Sequence, residues 1–240
     1  MKSTAKRVLA LTGVALTTSA LWTGVCAAQS HFLGSVHFDS GLPRGELDDQ
    51  IGREAYGVNG QIFFAPSTSP LAVGLEVSWA TYGHESREVP FSSTIPDVEV
   101  DVRTMNNFAQ AFFVLRGQVG SGPIQPYGDA LIGLNYMYTE TAITDAGDGW
   151  DEIASTTNHD DVALAYGLGG GVMVPVWMSS GENGSVQTIL IDVGGRYLKG
   201  EEAEYLKEGS LRRENGSVTF DPTKSRTDMV KLQVGVAVRF

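Results

Sequence analysis

Asp228-Met-Val-Lys-Leu-Gln-Val-Gly-Val-Ala-Val-Arg-Phe240 alternates without a break. Val230, Leu232, Val234, Val236, Val238 and Phe240 share one parity, while Met229, Lys231, Gln233, Gly235, Ala237 and Arg239 share the other. Side chains on a strand point to opposite faces with period two, so this stretch predicts a strand with one uniformly apolar face and one mixed, charged face. If the apolar face meets lipid and the mixed face meets a narrow interior, the stretch is one stave of a membrane barrel.

Seven further stretches repeat the pattern upstream. The first, Phe32 to Asp39, sets Phe32, Val36 and Phe38 against Ser35, His37 and Asp39; the second, Tyr56 to Ala65, sets Val58 and Ile62 against Asn59 and Gln61. The third, Leu71 to Tyr82, sets Leu71, Val73, Leu75, Val77 and Trp79 against Ala72, Gly74, Glu76 and Ser78. The fifth, Tyr127 to about Thr139, puts Asp129, Leu131, Gly133 and Asn135 opposite Ala130, Ile132 and Leu134. The sixth, Asp161 to Val174, places three glycines on its small face, and the seventh, Thr188 to Lys199, puts Asp192, Gly194 and Arg196 together. In the fourth, about Arg103 to Leu115, large residues occupy both parities, and its faces stay open, with a register-shifting bulge as one explanation.

The connections alternate in length. Long polar ones follow strands one, three, five and seven (Ser40 to Arg53, His84 to Val100, Thr141 to Asp160, Gly200 to Lys224), and short ones follow strands two, four and six. An even strand count with long loops at one end and short turns at the other predicts an all-β, eight-stranded, antiparallel up-and-down transmembrane β-barrel, with both termini on the periplasmic side. A soluble eight-stranded barrel would turn its large apolar residues inward. Here the charges lie on the faces rich in glycine, which fit a crowded lumen, and the bulky apolar faces are left for lipid.

Residues 1–28 read as a signal peptide. Lys2, Lys6 and Arg7 precede an apolar run that ends at Cys26-Ala27-Ala28, so cleavage is expected after Ala27 or Ala28 and the barrel domain is expected over 29–240. The leader holds the only cysteine, so the mature chain offers neither disulfide nor thiolate chemistry. It also holds three of the 17 basic residues and none of the 28 acids, which leaves the mature chain at −14 and repels nucleic acid. No motif asks for a cofactor.

Pro126-Tyr127 opening a glycine-bearing strand, Asp192-Val193-Gly194-Gly195-Arg196-Tyr197, and a last strand ending in Phe240 resemble the eight-stranded outer-membrane barrel family that includes the transmembrane domain of outer-membrane protein A. The resemblance implies residence in the outer membrane with lipid and lipopolysaccharide as surroundings. It also implies that Phe240 is part of the signal read by the barrel-insertion machinery, and that the loops are available to a host or cell-surface ligand.

Candidate sites follow from the charged faces. Glu76, Asp129, Asp192, Arg196 and Lys231 share the inward side and predict an ion network, with Lys231 a partner for Glu76, Asp129 or Asp192. A gate or ion path is one reading. A network that fills and fixes the interior is preferred, because an isolated buried charge is costly and so narrow a barrel has room for little beyond side chains. Asp145, Asp148, Asp151 and Glu152 could wrap a calcium ion, but glycines stand where the EF-hand pattern needs oxygen donors, and a solvated acidic loop is preferred. His84 and Ser86 raise a lipid A-modifying hydrolase at the outer rim as an alternative, although a nucleophile needs a base within hydrogen-bond reach. The acidic and basic residues from Glu201 to Arg213 read as a solvated surface or a short helix rather than a site. Trp79, Tyr82, Tyr136, Tyr138 and Tyr197 read as an interfacial aromatic girdle. The preferred function is non-enzymatic, a structural or surface-interaction role in envelope integrity or adhesion, with the hydrolase and a small-solute channel as alternatives.

Overall fold

The computed structural model describes residues 30–240 apart from 67–68, 93–94, 120–121, 146–151, 180–185, 208–209 and 215–216. The expected leader lies outside the described residues. Eight strands close a barrel in which every neighbouring pair is antiparallel: β1 (Ser30–Pro43), β2 (Ala55–Pro66), β3 (Leu71–Ser92), β4 (Ile95–Gln118), β5 (Gln125–Asp145), β6 (Glu152–Met178), β7 (Thr188–Gly200) and, after four short strands, β12 (Met229–Arg239). Each strand pairs with the next in sequence, and β12 returns to β1, with Val236 opposite Val36 and Gly235 opposite His37.

The inside and outside are inverted relative to a soluble protein. Val36, Val58, Val77, Phe113, Leu168 and Val234 stand outward, each more than half exposed, while His37, Asn59, Glu76, Gln110, Asp192 and Gln233 point inward and are buried. Soluble monomers rarely expose apolar patches beyond a few hundred Å². A surface that is apolar around its whole circumference has hydrocarbon for its solvent. On β3 the outward row runs from Leu71 to Trp79, about 27 Å along the strand at ~3.3 Å per residue and about 20 Å once tilted. That approaches the ~25 Å apolar band of an outer-membrane barrel. Among the described residues no helix is long and apolar enough to cross a membrane.

Strand four now has faces. Asn106, Phe108, Gln110, Phe112, Val114 and Arg116 point inward, and Phe113 and Leu115 point to lipid. The register shift lies on β3, between Thr81 and Gly83, rather than within strand four. Inward phenylalanines are accommodated by glycines directly beside them on the neighbouring strand, Gly133 next to Phe112 and Gly74 next to Phe63. A Cβ on Gly133 would run into the ring of Phe112, and one on Gly74 would run into Phe63.

Three of the expected loops are built differently. His84 to Val100 and Thr141 to Asp160 largely continue as paired strand, so the β3–β4 and β5–β6 hairpins rise well above the apolar band. They read as loops in the sequence because above the membrane no apolar row is required. The segment after Gly200, expected as a solvated surface or a short helix, folds into two small sheets. β8 (Glu202–Tyr205) pairs with β11 (Thr223–Arg226), and β9 (Leu211–Glu214) pairs with β10 (Ser217–Phe220). Between β1 and β2 a short helix, α1 (Glu46–Ile51), is closed by Gly52, whose φ of 60° lets its N–H reach the carbonyl of Asp48 at 2.8 Å.

Leu47 of α1, Ala203 and Tyr205 of β8, and Leu206 are all buried at the upper end of the barrel, together with Tyr82 and Phe108. Tyr82 therefore leaves the aromatic girdle. It sits on the inward row after Ala80, its ring 4.5 Å from Phe108, and its hydroxyl donates to the Leu206 carbonyl at 3.2 Å. Outside, Trp79 Nε1 donates to the Tyr138 hydroxyl at 2.9 Å, and the rings of Tyr136 and Tyr138 stack at 5.2 Å.

Candidate functional site

At mid-height the lumen is crossed by a ring of buried polar side chains. Arg116 donates through Nε and Nη2 to the two oxygens of Asp129 at 2.8 and 2.9 Å. The same carboxylate accepts from Arg196 Nη2 at 2.9 Å, while Arg196 Nη1 reaches Glu76. Glu76 also pairs with Lys231 at 3.4 Å, and Lys231 pairs with Asp39 at 2.9 Å. Asn59 donates to Asp39 at 2.6 Å and accepts from His37, whose other ring nitrogen meets Asp192 at 3.0 Å. Tyr127 donates to Asp192 at 2.8 Å, and its ring lies 3.8 Å from the Arg116 guanidinium, which closes the circuit.

Seven strands supply these groups: β1 gives His37 and Asp39, β2 Asn59, β3 Glu76, β4 Arg116, β5 Tyr127 and Asp129, β7 Asp192 and Arg196, and β12 Lys231. The eighth, β6, contributes space. A Cβ on Gly171 would strike the Tyr127 hydroxyl, and one on Gly169 would strike the Arg196 side chain. Glycine on one strand is thus the condition for a large charged or aromatic side chain on its neighbours.

The four carboxylates face three permanent cations, with His37 as the fourth basic group. Its two ring nitrogens face Asn59 Oδ1 and Asp192 Oδ2, each at 3.0 Å. Lys231 donates further to Ser78 and Gln110 at 3.1 and 3.2 Å. A buried charge is tolerated only when paired and hydrogen-bonded. Here each carboxylate has at least two polar partners: Glu76, Asp129 and Asp192 each accept from two groups, while Asp39 accepts from Asn59 and meets Lys231 as an ion pair without hydrogen-bond geometry.

The five residues singled out from sequence all lie in this interior, but the pairing has its own logic. Asp192 engages His37 and Tyr127 rather than Arg196, and Lys231 engages Glu76 and Asp39. Asp39, His37, Tyr127 and Arg116 were not among them. Parity placed the first two inward, and Arg116 lies one residue beyond the expected end of strand four. Phe240 stands at the strand end beside β1, its N–H donating to the Phe32 carbonyl at 2.9 Å.

The remaining candidates do not assemble. His84 and Ser86 are exposed on β3, and among the described residues no hydrogen bond joins them. Glu85 between them is paired with Arg87 at 2.8 Å. The side chains from Asp145 to Glu152 lie outside the described residues. Among the described residues no three metal-ligating side chains converge on a point.

No family model and no curated protein matches the chain. Solved barrels do. Neisserial surface protein A aligns over 88% of this chain and 95% of its own at 11% identity, with a TM-score of 0.34. The attachment invasion locus protein of Yersinia pestis, solved with the heparin analogue sucrose octasulfate, aligns over 88% and 97% at 14% identity, with a TM-score of 0.34. A major outer membrane protein from Thermus thermophilus aligns over 87% and 99% at 14% identity, with a TM-score of 0.41. These likenesses are distant, and the chain's own geometry carries the conclusion: an apolar exterior, a buried ionic interior and a closed antiparallel ring of eight strands make it a transmembrane β-barrel of the outer-membrane type.

Proposed function

We propose that the protein is an integral outer-membrane barrel with a structural or surface-interaction role, and that its function is carried by the parts standing above the membrane. The observation that supports this most is how the lumen is used. Ion pairs fill it at mid-height, and Leu47, Tyr205 and Leu206 close it above, while β3 to β6 continue beyond the apolar band. An interior so filled favours a scaffold over a conduit. The tall hairpins and the small sheets give the scaffold paired strands to present, whether for adhesion to a host or cell-surface ligand or for contact with lipopolysaccharide. In this reading residues 1–28 are removed as a signal peptide, residues 29–240 form the mature barrel, and Phe240 serves insertion.

Planar-bilayer recording of the refolded protein tests the scaffold reading. It predicts an absence of discrete conductance steps, and regular steps in the unaltered protein would make it a channel. The hydrolase alternative is tested by mass spectrometry of lipid A from cells expressing the protein or its His84→Ala/Ser86→Ala variant. Identical lipid A with and without the protein is expected, and a change dependent on these two residues would replace the scaffold reading with an enzymatic one.

A further inference from the structure

The end of the barrel that carries the termini and the short turns holds a cavity of about 480 Å³, within the ~300–1,000 Å³ range of small-molecule sites. Its walls divide by chemistry. Leu33, Phe63, Ala65 and Ala72 supply apolar surface, and Arg116, Arg239 and His31 supply basic groups. Among the described residues none of those lining it is acidic, in a chain with 28 acids against 17 lysines and arginines.

Arg116 is the centre of the site. Its guanidinium is fully buried and held between the rings of Phe63 and Tyr127, at 4.1 and 3.8 Å. Nε and Nη2 are committed to Asp129 and Gln61, but Nη1, on the far side of the guanidinium from Asp129, has no partner. His31 Nδ1 is likewise buried and unpaired. A buried donor left without an acceptor is costly, so an acceptor delivered by a ligand would be favoured here. Asp129 cannot supply more, because its oxygens already take three N–H groups from two arginines. Arg239 donates only to the neutral amide oxygen of Gln125, at 2.9 Å, and pairs with no carboxylate among the described residues.

We propose that this periplasmic mouth is a binding site for an anionic group carried on a small apolar body, of the alkyl phosphate type. The anion takes the free Nη1 of Arg116 and the guanidinium of Arg239, and the alkyl part lies against Leu33, Phe63 and Ala72. Stacking of Arg116 between two rings fixes the donor before the ligand arrives, which lowers the entropic cost of binding. The phosphate could come from a lipid fragment or from free phosphate, and the apolar wall selects the former. This goes beyond the surface role proposed above and does not depend on it.

The test is calorimetric titration of the full-length mature barrel, refolded in zwitterionic micelles, with butyl phosphate, inorganic phosphate and butanol. Butyl phosphate is expected to bind saturably and at least tenfold more tightly than inorganic phosphate, with no saturable binding of butanol. Arg239→Gln should weaken it at least fivefold, Ala72→Leu should abolish it by filling the cavity, and Arg226→Gln at the opposite end should leave it unchanged. Arg116→Gln is informative only if it folds, so the other variants carry the decision. Absence of saturable binding, equal affinity for the two phosphates, saturable binding of butanol, or binding that survives Ala72→Leu would overturn the proposal.

Discussion

Replacing Asp129 with asparagine keeps the shape of the side chain and removes its charge from the centre of the interior ring. Asp129 is 4% exposed and accepts three N–H groups, two from Arg116 and one from Arg196, at 2.8 to 2.9 Å. After the change Arg196 keeps Glu76, but Arg116 keeps a 3.3 Å hydrogen bond to Gln61, the two ring faces and at most one neutral amide oxygen in place of the bidentate carboxylate. Breaking a buried pair from one side costs about 3–5 kcal/mol. The surviving partners and the remaining amide oxygen put Asp129→Asn at the low end, about 3 kcal/mol or roughly a hundredfold in the unfolding equilibrium. Glu76→Gln should cost less, about 2 kcal/mol, because Arg196 retains Asp129 and Lys231 retains Asp39. The assay is urea unfolding in lipid vesicles, followed by the emission of the lipid-facing Trp79 and Trp177. Replacing both partners with apolar groups, Arg116→Met with Asp129→Leu, should recover at least half the loss, since a buried pair exchanged for apolar residues is often neutral. The reasoning fails if Asp129→Asn lies within about 0.5 kcal/mol of wild type, or if Glu76→Gln is the more damaging change.

Gly171→Ala should destabilise the barrel by about 1–3 kcal/mol through overpacking, because the added carbon meets Tyr127. Gly34→Ala, whose nearest neighbour would be a Phe240 ring carbon at 3.8 Å, should be close to neutral, and heat-modifiable gel migration ranks the two. Leu47→Ala removes a fully buried side chain from the upper lid and should cost about 2–5 kcal/mol of local stability, seen as faster external proteolysis with the barrel intact. Leu75→Lys, in the middle of the outward row of β3, should cost about 2–4 kcal/mol in bilayers. A loss below about 0.5 kcal/mol would place that row in water.

Much of the fold was legible because a lipid solvent and a polar lumen impose opposite demands on alternate residues, and the run from Met229 to Phe240 shows both. Strand four was not, because Phe108 and Phe112 point inward, and what admits Phe112 is Gly133 on another strand. The rising parts of β3 to β6 were hidden for a different reason: above the membrane a strand needs no apolar row, so polarity there resembles a loop. In the interior ring the residue types could be read, but the partners could not. His37 and Asp192 are 155 positions apart, and only closure of the barrel decides that they meet. The lid was missed because Tyr205 and Leu206 are set among charged residues, and their burial depends on α1 and on the top of the barrel rather than on local periodicity.

The central claim is that the apolar outer wall is embedded in the outer membrane, with the long hairpins outside. Fractionation of expressing cells, combined with protease treatment of intact cells and gel migration with and without heating, tests it in a single experiment. Residence in the outer membrane predicts a protein of the outer-membrane fraction that migrates faster unheated than heated and is open to protease only in its upper segments. A soluble periplasmic protein with unchanged migration on heating would contradict it.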